Sequence, residues 1–142
     1  MKKVLPILLI GLLLSQVVEV LEYFLTDPSL PANGSDFTKN DIVGLVFLVL
    51  SLAVYVGVAY FLANHVNLGV TILLMLLLLL VDTLISENLT IKIADSQGLP
   101  RVESGLETST EYLIMAAMGL ITALIGYGIN RMRRKRQSVA TV

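Results

Sequence analysis

Cysteine and tryptophan are absent from the 142 residues, and histidine occurs once. The missing thiols exclude disulfides, thiolate metal centres, thiol redox chemistry and cysteine nucleophiles together. A single histidine, His65, leaves a bis-histidine haem or an imidazole-rich metal site without its second ligand, so no cofactor is expected. Charge is scarce too: 15% of the residues are charged, where a soluble globular domain carries about a quarter. What fills the chain is apolar, 56% of it hydrophobic. That balance implies a membrane protein. At this length it also implies one integral unit, residues 1–142, rather than several domains.

A helix needs roughly 20 mainly apolar residues to cross about 30 Å of hydrocarbon. Four stretches meet that requirement, at about 4–25, 42–63, 68–85 and 112–129. The first also has a signal-peptide aspect, since Lys2 and Lys3 precede an apolar run. No Ala-x-Ala site follows that run, and hydrophobic residues continue to Leu25, which favours an uncleaved helix. Asp27-Pro28 and Pro31 stop this helix, because proline cannot continue the ladder and restricts the residue before it. Asn67 can cap the third. The expected fold is all-α: a four-helix transmembrane bundle with a short inner turn between helices two and three and a longer outer loop before helix four. So short a turn predicts that helices two and three pair as a tight antiparallel hairpin.

Charge sets the orientation. Lys2, Lys3 and the tail residues Arg131, Arg133, Arg134, Lys135 and Arg136 give the two terminal segments seven bases and no acid. The positive-inside rule then predicts a multi-pass cell-membrane protein with both termini cytoplasmic. All eleven carboxylates fall in the outer loops or the outer parts of helices. Both Asn-x-Ser/Thr sequons, at Asn33 and Asn88, fall in the outer loops and are candidate glycosylation acceptors. In the longer loop, Leu89, Ile91 and Ile93 alternate with Thr90, Lys92 and Ala94, the period-two pattern of a short strand or extended segment.

In lipid, helices associate by close fit, so small residues mark their seams. Ala116, Gly119, Ala123 and Gly126 form such a stripe on helix four, and a close helix contact is expected there. Helix three is large and apolar all round through its leucine run, which predicts an outer, lipid-facing position.

Polar residues inside the membrane are the candidate site. Gln16, Glu19 and Glu22 share a broad face of helix one, and Asp82 lies about a turn inside the outer end of helix three. A carboxylate in hydrocarbon is costly, and no basic residue lies within any span. Glu19 must therefore be protonated, hydrated, or satisfied by groups such as Ser51, Tyr55 and Thr122. No nucleophile motif, phosphate loop or metal set accompanies these acids, so no enzymatic activity is expected. The tail, residues 130–142, is expected to contact anionic lipid headgroups; without a folded module or aromatic platform, nucleic acid is not an expected partner. The leading expectation is a non-enzymatic tetraspan protein acting as an assembly, accessory or structural subunit of a homo- or hetero-oligomeric membrane complex. The alternative is a small cation or proton channel or transporter with an acidic outer vestibule of Glu19, Glu22 and Asp82.

Overall fold

The computed structural model describes residues 3–26, 39–97 and 108–140. They form four helices: α1 (Val4–Leu25), α2 (Lys39–Leu62), α3 (Leu68–Gln97) and α4 (Thr108–Ala140). Each contains a window long and apolar enough to cross a membrane, and no strand occurs among the described residues. The fold is an all-α four-helix bundle of a multi-pass membrane protein. Pro6 is tolerated because it sits in the first turn of α1, where its missing N–H has no helical partner to lose. The helix ends at Thr26, whose backbone turns extended two residues before Pro28. At the opposite end Asn67 caps α3, its Oδ1 accepting the Val70 N–H at 2.9 Å.

Packing departs from chain order. α4 lies against both α2 and α3, and α1 also rests on α2 and α3, while α1 and α4 do not pack together. The circular order is therefore α1, α2, α4, α3, and the expected hairpin of helices two and three is corrected: they share a short connection but stand diagonally, with little contact. The small residues of α4 account for this. A Cβ built on Gly126 would lie 2.5 Å from the Val56 carbonyl oxygen and 2.7 Å from Ala59 Cβ on α2, and one on Gly119 would lie 2.9 Å from Leu79 Cδ1 on α3. The narrow side of α4 thus serves two neighbours at different heights, and backbone proximity of this kind draws it between them.

The core runs along the bundle axis through Tyr55, Val58, Ala59 and Leu62 of α2, Met75, Leu78 and Leu79 of α3, and Ala123 of α4. α1 adds the partly buried Ile7, Leu8 and Leu12. The expectation for helix three needs amendment here. Thr71, Met75, Leu78, Leu79 and Asp82 are buried, while Leu73, Leu77, Leu80 and Leu84 are exposed, so α3 has a packed face as well as a lipid-type face. Leucine on every side concealed this, because the inward positions are selected by the neighbours rather than by composition.

Two helices exceed the membrane. At about 1.5 Å per residue, α3 carries some 18 Å of helix past Ile85 to Gln97 and α4 about 16 Å past Ile129 to Ala140. The extended segment expected at residues 89–94 is consequently helical. Nothing before Gly98 and Pro100 interrupts the backbone ladder, and a period of two over six residues is too short to oppose a helix already under way.

Candidate functional site

Near the acidic end of the bundle, three helices meet around one carboxylate. Asp82 on α3 is 2% exposed. Its Oδ2 accepts hydrogen bonds from the Ser15 hydroxyl of α1 and the Tyr55 hydroxyl of α2, and its Oδ1 accepts one from Gln16 Nε2 at 2.7 Å. Ser15 Oγ and Tyr55 Oη are themselves 2.9 Å apart. Three residues from α1 and α2 thus close on one side chain of α3. In hydrocarbon each of these groups would otherwise go unsatisfied at a cost of several kcal/mol.

The network continues toward the acidic end. Gln16 Nε2 also reaches Ser86 Oγ at 3.0 Å, and the Ser86 hydroxyl donates to Glu19 Oε2. Helical register makes this connection: Asp82 and Ser86 are four apart on α3, as are Ser15 and Glu19 on α1, so two rungs align where the helices cross. Gln16 Oε1 is buried and has no hydrogen-bond partner. Its amide nitrogen is committed to Asp82 and Ser86, which turns the oxygen away from the available donors.

Gln16, Glu19 and Asp82 therefore share one network. Glu22 lies elsewhere: a Cβ on Gly44 of α2 would be 3.7 Å from its Oε1. The acids do not converge on a metal-binding cluster among the described residues. Tyr55 serves Asp82 rather than Glu19, and Thr122 bonds back to Met118 O of its own helix. Ser15 and Ser86 were not singled out in the sequence. Ser15 is adjacent to Gln16, and Ser86 lies just past the expected end of span three at Ile85, at a four-residue spacing from Asp82 that the sequence shows.

A second polar group lies at the basic end. Asn130, 3% exposed, donates through Nδ2 to Tyr60 O and to Asn64 Oδ1, each at 2.9 Å. Arg134 Nη2 donates to the same Asn64 Oδ1 at 3.0 Å, and Arg133 Nη1 donates to Tyr60 Oη.

The chain matches no known family, no curated protein and no solved structure.

The remaining candidates take their places in this frame. Gly119, Ala123 and Gly126 are buried between helices, whereas Ala116 is exposed, so the tight part of the stripe begins a turn later than expected. Arg131, Arg133, Arg134, Lys135 and Arg136 are exposed on the projecting end of α4. Asn88 lies within α3, exposed, with Nδ2 donating to Leu84 O at 2.6 Å, so its sequon is helical rather than part of a loop. Asn33 lies outside the described residues.

Proposed function

We propose that this protein is a non-enzymatic integral membrane subunit that holds or accompanies a larger assembly, made of its own copies or of other membrane chains. The observation that carries this reading is the closed network around Asp82, whose oxygens are engaged by Ser15, Tyr55 and Gln16. An acid used in this way fastens α1, α2 and α3 and gives the bundle a fixed outer shape. The surface of that shape is apolar: Leu5, Leu9, Leu13, Val17, Leu21 and Leu25 form an uninterrupted exposed i+4 ridge along α1. Such a ridge suits packing into the groove of another helix as well as contact with lipid. Purification in mild detergent should give an oligomer or co-purifying membrane chains, and liposomes containing the protein should conduct no more than empty ones. A lone monomer with measurable ion flux would overturn the proposal.

A second reading has one observation in its favour. The unpaired Gln16 Oε1 lies in a network that also contains Glu19 and Asp82, where a water or cation would find an acceptor. On that reading the chain conducts protons or cations through an acidic outer vestibule. Glu19→Gln, which keeps shape but cannot titrate, should then abolish a pH- or cation-dependent flux and leave assembly intact.

A further inference from the structure

The basic end of the bundle contains polar chemistry that neither reading uses. α4 continues as a helix past Ile129, so Asn130, Arg133 and Arg134 fall on one face at i, i+3 and i+4. This face prolongs the Gly119, Ala123 and Gly126 stripe and lies against the end of α2. Arg131 and Lys135 project on one flank and Arg136 on the other. Two cations are therefore gathered toward the same neighbour, Arg133 at Tyr60 and Arg134 at Asn64, and both anchors are neutral. The segments at this end, residues 63–67 and 130–142, contain no aspartate or glutamate.

Depth indicates what the pair meets. The interfacial layer occupies about 5–7 Å on each side of the hydrocarbon. With the hydrocarbon taken to end where the apolar run does, at Ile129, Arg133 and Arg134 lie four and five residues beyond it, or about 6–7.5 Å along the helix, which is the level of lipid phosphates. A guanidinium has five N–H groups in a fixed fork, matched to two oxygens of a phosphate. The contacts described above use one N–H of each arginine, Arg133 on Tyr60 of α2 and Arg134 on Asn64 in the turn that follows it. That contact fixes the guanidinium's orientation before any anion arrives, which lowers the ordering cost of binding.

We propose that Arg133 and Arg134, oriented by Tyr60 and Asn64, form a notch for the phosphate of an anionic phospholipid in the leaflet at the basic end of the bundle. The site deepens the headgroup role expected of the whole tail by selecting two of its five cations. It rests on the membrane-spanning fold and is independent of the accessory-subunit reading.

Native mass spectrometry of the full chain in mild detergent, titrated with phosphatidylglycerol, tests the site directly. One lipid should bind about tenfold more tightly than phosphatidylcholine, and the paired change Arg133→Lys/Arg134→Lys, which keeps the charge and loses the fork, should weaken binding about tenfold. Arg131→Lys/Arg136→Lys, equally conservative in charge, should change it less than about twofold. Tyr60→Phe removes the hydroxyl that anchors Arg133 with no change in charge, and should weaken phosphatidylglycerol binding about threefold. Unchanged affinity in the Arg133/Arg134 pair, or an equal loss in the Arg131/Arg136 pair, would show that diffuse charge alone is at work. Displacement of the lipid by an equal concentration of inorganic phosphate would instead identify a soluble-anion site and overturn the lipid assignment. None of these results depends on whether partner chains co-purify.

Discussion

Asp82 makes the most consequential contacts of any single side chain in the bundle, because Ser15, Gln16 and Tyr55 all donate to its carboxylate. Interhelical hydrogen bonds in membrane proteins contribute about 1 kcal/mol each, so Tyr55→Phe should cost about that amount. Asp82→Leu removes all three of these hydrogen bonds at once, and a loss of about 2–4 kcal/mol is expected. Asp82→Asn retains an acceptor oxygen and should fall between wild type and the leucine variant. Unfolding in increasing denaturing detergent orders the three, and a leucine variant as stable as wild type would show that the network holds nothing together. Much of this site was legible: Gln16, Glu19 and Asp82 are polar residues where polarity is expensive. Their partners were not. A serine pays little to stand in a membrane helix, so Ser15 and Ser86 raise no compositional signal; Tyr55 is readable only as one of several hydroxyls open to Glu19, and the packing of the helices identifies which of them serve which acid.

The helices are legible in number, and the ends at Val4, Leu25, Leu62 and Leu68 lie within a residue of expectation, since twenty apolar residues in lipid leave the backbone no other hydrogen-bonded state. Where the chain leaves hydrocarbon that constraint relaxes, and α3 ran past its expected end at Ile85 for this reason. Cysteines placed singly through residues 84–92 should show thiol accessibility with a period near 3.6; a period of two would restore the extended segment. The seam of α4 is a matter of distances that sequence cannot supply. Gly119 meets the ends of leucine side chains, Leu79 Cδ1 and Leu76 Cδ2, whereas Gly126 meets backbone atoms of Val56 and Tyr60. Leucine tips swing aside and helix backbone does not. Gly126→Ala should therefore destabilise by about 1–3 kcal/mol, as overpacking does, and Gly119→Ala by clearly less. Thermal unfolding in detergent decides the order, and equal losses would indicate that α4 does not approach α2 as closely as described.

For the molecule as a whole, the separation of charge is the feature that relates fold to surroundings. Along the sequence all eleven carboxylates fall in the segments that join α1 to α2 and α3 to α4 or in the helix portions next to them, and seven of the ten basic residues fall in the two terminal segments. The positive-inside rule predicts a cytoplasmic basic end; on that orientation cysteines introduced at Ser35 and Ser96 should react with an impermeant thiol reagent on intact cells, and one at Ser138 should not. The reverse pattern would invert the bundle in its membrane. Up-and-down chain direction followed from loop lengths and charge, but neighbour order did not: a five-residue connection between helices is compatible with adjacent or diagonal placement, and the choice rests on which faces fit.

The diagonal placement has a consequence for how the protein is made. Chains enter the bilayer as they are synthesised, from the N-terminus onward, and membrane helices form before they pack. When α1, α2 and α3 have been inserted, the place between α2 and α3 that completes the ring belongs to a helix still to come. The newborn bundle is open along that side, with Leu79 and Ala59, which α4 later covers, facing lipid that must leave. The last of these four helices to emerge is thus the one that closes the bundle, and Gly119 and Gly126 mark where it slides in.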